Sequence, residues 1–333
     1  MTVGSPLQGG GRRRRAKGPL VLVLLVALLA GGATYAYTQG HLDLFSSSKS
    51  KAHGAATGSV NAGQPGEHPP PVPGSPYAVA LEAADVFRLH FHQPPRAGLV
   101  FDLRSGQVLW RLHPYRRLPI ASLTKIMTAV VVTGRTTPRE KARVTKAALN
   151  YSGSGVGLLP KGRHVTVWAL MNGLLLPSGN DAALALADHV GGSERRFVRL
   201  MNGRARKMGL RCTHYVSPHG LEPGNRSCAA DLAAMARVAM RRPEIERIVR
   251  QRQNVVRFPI KGGRLYLNTT NPLIRSGYVG TIGLKTGDTD EAGHCFVGVV
   301  RRGGRTLGVV LLHSPNVLEQ SKKLLSKGFR THR

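Results

Sequence analysis

Ser122 and Lys125 stand three positions apart at the start of a segment with helical periodicity. On a helix, side chains three positions apart share one face, so this hydroxyl and this amine can come within hydrogen-bond distance. A serine becomes a nucleophile when a base takes its proton, and a lysine serves as that base only when its pKa falls well below ~10.4. The pair predicts a nucleophile with its general base, although the spacing alone is also typical of an ordinary capped helix.

A second polar motif, Ser178-Gly179-Asn180, follows the apolar run at residues 174–176. It has the composition of a turn that enters a helix. There, the Ser178 hydroxyl could relay a proton and the Asn180 amide could hold an amide group of a substrate. By itself the motif would indicate no more than a helix cap.

The third motif, Lys285-Thr286-Gly287, ends a strand pattern that begins at residue 281. A lysine and a threonine on an edge strand can hold a carboxylate, and a glycine lets a substrate backbone approach closely. Lys285 would also be the neighbouring cation that lowers the pKa of Lys125. Each motif is weak alone, but their joint occurrence, order and spacing point to one active site.

The elements that carry these motifs can be predicted from hydrophobic periodicity. Strands are expected at 281–285, 295–301 and 306–313, hairpins within 97–112 and 255–267, and helices at 121–132, 167–175, 181–190, 193–208, 231–240 and 318–325. The alternation of His90 and His92 with apolar residues indicates a half-exposed strand. A helical middle bracketed by strands predicts one α/β (α+β) domain with an antiparallel sheet.

Composition and charge restrict the class of protein. Hydrophobic residues make up 41% of the 333 residues, which excludes wholesale disorder, and aromatic residues make up only 5%, which argues against a base-stacking surface. The net charge of +31 favours polyanions, although a simply solvated basic surface would show the same excess. We expect anionic wall polymers as possible partners and no nucleic acid.

The N-terminal part predicts a membrane segment. A basic cytoplasmic tail at 1–18 precedes an apolar signal anchor at 19–38, whose uncharged run nearly matches the ~20 residues that span a bilayer. The arginines at 12–15 should stay cytoplasmic, so the rest of the chain would be extracytoplasmic. A cleaved signal peptide is the alternative, and the protein would then be secreted. Residues 39–76, rich in Pro, Gly and Ser, predict a disordered linker to a catalytic domain at 77–333.

The chain has three cysteines. Outside the cytoplasm, Cys212 and Cys228 could form a disulfide, whereas Cys295 lies in a strand pattern and should be buried and free. Cys212, His214, His219 and Cys228 could also be taken as a metal cluster, but their spacing matches no standard zinc pattern. No metal and no cofactor are expected.

The three motifs together resemble those of penicillin-binding proteins and class A β-lactamases. Within that group the chain is most similar to the low-molecular-mass serine D-alanyl-D-alanine carboxypeptidases of peptidase family S11. The resemblance is carried by residues 121–129 (ASLTKIMTA), 176–183 (LPSGNDAA), 214–221 (HYVSPHGL) and 283–287 (GLKTG) with the following Ala292-Gly293. It extends from about Tyr77 to Phe329.

The resemblance implies a β-lactamase/transpeptidase-like fold, with an antiparallel sheet flanked by helices and a helical subdomain. It also implies removal of the terminal D-alanine from peptidoglycan stem peptides through an acyl-enzyme on Ser122. The backbone N–H groups of Ser122 and Asp288 would form the oxyanion hole, Lys285 and Thr286 would bind the substrate carboxylate, and β-lactams would inhibit.

Two other functions stay open from the sequence. A serine β-lactamase would need fast deacylation, and no acidic residue between Ser122 and Lys285 lies in an obvious deacylating motif. A non-catalytic protein that binds wall polymers or other polyanions would explain the charge but not the motifs. Asp288 places an acid beside the expected carboxylate site, where it could weaken the binding of a carboxylate substrate. The sequence therefore indicates the type of reaction more clearly than the preferred substrate.

Overall fold

The computed structural model describes residues 77–157 and 159–331. The predicted tail, anchor and linker, residues 1–76, lie outside the described residues. Among the residues described, no helix combines the length and the apolar character needed to cross a bilayer.

An antiparallel sheet forms the centre of the described part. Its strands are β1 (Ala97–Asp102), β2 (Val108–Leu112), β9 (Thr281–Gly287), β10 (Cys295–Arg302) and β11 (Arg305–Leu312), in the order β2-β1-β11-β10-β9. Ala97 pairs with Leu312 between β1 and β11, and Cys295 pairs with Gly287 between β10 and β9. The predicted antiparallel sheet is therefore confirmed, and β9 is one of its edges.

Three short strand pairs lie outside the central sheet. They are β3 (Leu118–Pro119) with β6 (Arg226–Ser227), β4 (Lys141–Arg143) with β5 (His164–Thr166), and β7 (Gln253–Arg257) with β8 (Arg264–Asn268). The last pair is the hairpin expected within 255–267. The expected strand at His90 and His92 is wrong: both side chains are exposed, but residues 88–92 form an irregular segment beside β2, where Trp110 Nε1 donates to the Leu89 carbonyl at 3.3 Å.

Helices cover both faces of the sheet. They are α1 (Thr124–Thr133), α2 (Lys146–Leu149), α3 (Val167–Leu175), α4 (Asn180–Gly191), α5 (Glu194–Lys207), α6 (Ala229–Ala239), α7 (Pro243–Val249), α8 (Pro272–Arg275) and α9 (Val317–Arg330). On β11, Val309 and Leu311 pack with Leu324 of α9, whereas Val310 and Leu312 point into the other core with α1 and α6. This alternation gives two cores separated by the sheet.

Helix α1 lies inside the larger core, in contact with α3, α4, α5 and α6. Residues Thr124 to Val132 of this helix are all buried. A helix that is apolar on every side is buried on every side. Lys125 is the one ionisable residue of α1. Its burial makes the charged ammonium form energetically unfavourable.

Cys212 and Cys228 form a disulfide with their Cα atoms 5.6 Å apart. Their thiols are therefore not available as zinc ligands, which removes the metal interpretation of this segment. Cys295 is buried and free, and burial raises the pKa of its thiol to about 12.

Candidate active site

The turn that carries Ser122 is a single 3-10 turn, Ala121–Leu123, immediately before α1. Lys125 lies one turn further along, in the first turn of α1, so the Ser-x-x-Lys spacing brings the two side chains to one face. Ser122 is partly exposed, and its Oγ lies 2.7 Å from Lys125 Nζ. Ala121 has φ +47°, a left-handed conformation that L-residues adopt rarely and that concentrates at functional sites.

Lys125 is fully buried, and its pKa lies well below 10.5. Burial is the largest cause and the charge of Lys285 is the second, while the carboxylates of Asp181 and Glu222 act in the opposite direction. The two leading causes both favour the neutral form of this amine, which is the form that can accept a proton.

Lys125 Nζ has three hydrogen-bond partners. It donates to Asn180 Oδ1 at 2.7 Å and to the His219 carbonyl oxygen at 2.9 Å, and both of these groups can only accept. Its third partner is Ser122 Oγ at 2.7 Å. In the neutral form of the amine, the first two acceptors would use its two N–H donors, and its lone pair would be left to accept the proton of the Ser122 hydroxyl.

Ser178 and Asn180 flank the turn between α3 and α4. Ser178 has φ +70° and is 8% exposed, and Asn180 is 2% exposed as the first residue of α4. Asn180 Nδ2 donates to the Ser152 carbonyl at 2.7 Å, so its amide bridges Lys125 and the loop at 150–157. Gly179 permits this turn, because a Cβ there would lie 2.7 Å from Val156 Cγ2.

Lys285 and Thr286 lie near the end of edge strand β9. Lys285 is 1% exposed, and burial lowers its pKa to about 7. Its Nζ donates to the Thr286 carbonyl at 2.9 Å, and Thr286 Oγ1 is 2.7 Å from Thr270 Oγ1. A partly charged lysine beside a hydroxyl is a suitable receptor for a carboxylate, whose charge would raise the lysine pKa on binding.

Gly287 brings the end of β9 directly against the nucleophile turn. A Cβ at this position would lie 2.8 Å from the Ile120 carbonyl oxygen and 3.1 Å from the Ser122 nitrogen. The strand that carries Lys285 and the turn that carries Ser122 are therefore in backbone contact. Asp288, whose N–H is the expected second oxyanion donor, is the next residue, and its exposed carboxylate pairs with His294 Nδ1 at 3.0 Å.

The loop that closes the site around Lys125 is the segment at 214–221 that carries part of the resemblance, although sequence reasoning assigned no role to any of its residues. Besides the His219 carbonyl, this loop contributes Gly220 (φ +93°), where a Cβ would lie 2.0 Å from the Ala121 carbonyl oxygen. Buried Asn225 holds the loop, with its Oδ1 accepting from the Ser217 N–H at 3.3 Å and its Nδ2 donating to Ser217 Oγ at 3.0 Å. The available signal was the glycine after His219, which marks a close backbone approach.

Comparisons with known proteins place the chain in a family and a fold. The family model described as D-alanyl-D-alanine carboxypeptidase, peptidase S11, matches residues 94–316. The D-alanyl-D-alanine carboxypeptidase DacB2 of Mycobacterium tuberculosis is 34% identical over 71% of this chain and 82% of that protein. The crystal structure of the Streptomyces K15 DD-transpeptidase, 32% identical, superposes with a TM-score of 0.67 over 73% of this chain and 99% of that one.

Other relatives are longer. DacF of Bacillus subtilis is 33% identical over 65% of this chain but only 56% of its own length, and DacC of Escherichia coli is 35% identical over 71% of this chain and 61% of its own length. The chain thus spans less than two thirds of these two relatives. The match covers the strands and helices that carry all three motifs, and the chain therefore belongs to the peptidase S11 family of D-alanyl-D-alanine carboxypeptidases.

Proposed function

We propose that this protein is a serine D-alanyl-D-alanine carboxypeptidase that removes the terminal D-alanine from peptidoglycan stem peptides. The observation that carries the proposal is the contact at 2.7 Å between Ser122 Oγ and the Nζ of buried Lys125, whose pKa burial lowers well below 10.5. A hydroxyl within hydrogen-bond distance of its base is prepared for attack on a carbonyl.

Acylation follows from the proton positions. Ser122 Oγ attacks the carbonyl between the two D-alanines and its proton moves to Lys125, which becomes an ammonium group. Burial and Lys285 make that ammonium unfavourable, so the proton passes on to the leaving amine of D-alanine, with Ser178 as the relay. The C–N bond breaks as the leaving nitrogen takes the proton, and the acyl group remains on Ser122.

The third motif orients the substrate. Lys285 and Thr286 hold the terminal carboxylate, and the N–H groups of Ser122 and Asp288 receive the oxyanion, where a single donor contributes roughly 3 kcal/mol in another serine hydrolase. Asn180 holds Lys125 through its Oδ1 and Ser152 through one N–H of its Nδ2, and the second N–H of that amide is left to hold a substrate amide. Water then hydrolyses the acyl-enzyme, and β-lactams acylate the same serine.

Mass spectrometry of the full-length chain tests this function. We expect a labelled penicillin to add to Ser122 and a peptide ending in D-Ala-D-Ala to lose one D-alanine. Ser122→Ala should abolish both, whereas Ser276→Ala, at an exposed serine after α8, should abolish neither. D-alanine release that persists in Ser122→Ala would refute the serine mechanism, and rapid turnover of the penicillin adduct would instead indicate a β-lactamase.

We further propose that residues 19–38 anchor the protein in the cell membrane, with 1–18 in the cytoplasm and the catalytic domain outside, joined by the linker at 39–76. The support is the uncharged run at 20–37 and its arginine flank. Peptides from 20–37 in the mature protein are expected in the membrane fraction. Their absence would indicate a cleaved signal and secretion. The charge of +31 supports anionic wall polymers as partners.

A further inference from the structure

A groove of about 580 Å³ lies among the start of α3, helix α7 and strand β7. Arg139, Arg247 and Arg257 line it, and all three are exposed. Among the described residues that line it, none is acidic. A second cleft, of about 830 Å³, is lined by three carboxylates, Asp188, Glu194 and Glu222, together with Arg143, His189 and His219. The groove differs from that cleft because all of its charged lining residues are arginines.

The three guanidinium groups are free to bind a ligand. Within the described part of the chain, no carboxylate forms an ion pair with any of them. Arg247 stacks over Trp168, with its guanidinium carbon 5.9 Å from the ring centroid, which orients its planar group in the groove. Arginine stays charged at all physiological pH values, and its fork of N–H donors fits the oxygens of a phosphate.

The groove is separate from the catalytic residues. Helix α3 begins beside it at Trp168 and ends just before the turn that carries Ser178. Its nine residues span about 13 Å. Asn254, which lines the groove, donates to Asn172 Oδ1 of the same helix at 2.7 Å. A polymer in the groove would thus lie one short helix away from the turn that carries Ser178, and none of the catalytic residues lines the groove.

We propose that this groove binds the phosphate groups of an anionic phosphodiester polymer. The inference locates the polymer binding proposed above and does not depend on the serine chemistry. A nucleic acid is less suitable, because single strands bind through bases stacked on aromatic rings. Trp168 is the one aromatic residue among the described lining residues, and Arg247 already covers a face of it.

Binding of poly(glycerol phosphate) to the full-length chain, measured over a series of salt concentrations, tests the proposal. Changing Arg139, Arg247 and Arg257 together to alanine should weaken binding at least tenfold. The slope of log affinity against log salt should fall by about two units, as for three lost phosphate contacts. The matched control changes three exposed arginines of α5, Arg195, Arg199 and Arg206, to alanine, and should weaken binding less than threefold.

Three results would overturn the proposal. Equal losses in the two triple variants would show diffuse attraction without a site. Single-stranded DNA that binds as tightly as the polymer and loses affinity in the same variant would assign the groove to nucleic acid.

Penicillin acylation should stay at the wild-type rate in the groove variant and serves as its folding control. If that triple fails to fold, the three single alanine variants replace it, and unchanged salt slopes in all of them would overturn the proposal.

Discussion

Replacing Gly287 by alanine should slow acylation strongly without unfolding the protein. The added Cβ would lie 2.8 Å from the Ile120 carbonyl oxygen and 3.1 Å from the Ser122 nitrogen. The shorter distance falls about 0.7 Å below an ordinary contact of ~3.5 Å, so β9 and the nucleophile turn must move apart by a similar amount. Because misplacement by ~1 Å can cost ~100-fold in rate, we expect acylation to slow by roughly 10- to 100-fold.

The assay is the rate at which a labelled penicillin acylates the protein, followed by mass spectrometry beside a thermal melt. Gly134→Ala is the matched control, because its Cβ would meet its nearest atom, the Val130 carbonyl oxygen, at an ordinary 3.4 Å. This control should acylate within twofold of wild type. If folded Gly287→Ala also acylates at the wild-type rate, the strand does not position the nucleophile, and the reasoning is refuted.

Three further predictions concern charge and cross-linking. Lys285→Met removes the cation that lowers the Lys125 pKa, so the pH below which acylation fails should shift upward, as a pH–rate profile would show; an unchanged profile contradicts this coupling. Burial raises the pKa of Asp231 to about 6, so this residue favours the folded state below pH ~4 and loses that effect as pH rises through 6. Asp231→Asn should reduce the change in melting temperature between pH 4 and pH 6. A pH dependence equal to that of the wild-type protein would contradict this role of Asp231. Reducing the Cys212–Cys228 bond, which closes a loop of sequence separation 16, should cost about 3 kcal/mol of unfolding free energy in denaturant titrations, and unaltered stability would show that the link is dispensable.

The order and type of the main elements follow from local patterns. The continuous apolar runs of β10 and β11 are typical of strands buried on both faces, and the apolar periodicity of α3 and α4 is typical of buried helices. The alternation at His90 and His92 was misleading, because a segment can point apolar residues inward without pairing as a strand. The resemblance to S11 carboxypeptidases is confirmed by the family match over 94–316.

The geometry around Lys125 was only partly predictable. The Ser-x-x-Lys spacing indicated the contact between Ser122 and Lys125, since it is local. The His219 carbonyl comes from 94 positions further along the chain, and no local pattern reports such a contact. The left-handed conformations of Ala121 and Ser178 are likewise imposed by packing, since neither residue favours them.

The ionisation of Lys125 tests the central claim most directly. Lysines labelled with ¹³C at Cε can be titrated by NMR in the full-length chain, with Lys125→Arg used to assign the signal. We predict that the Lys125 resonance titrates well below 10.5, so that the amine is neutral at the pH where the enzyme is acylated. A Lys125 signal that titrates with the exposed lysines would leave Ser122 without a base and contradict the account.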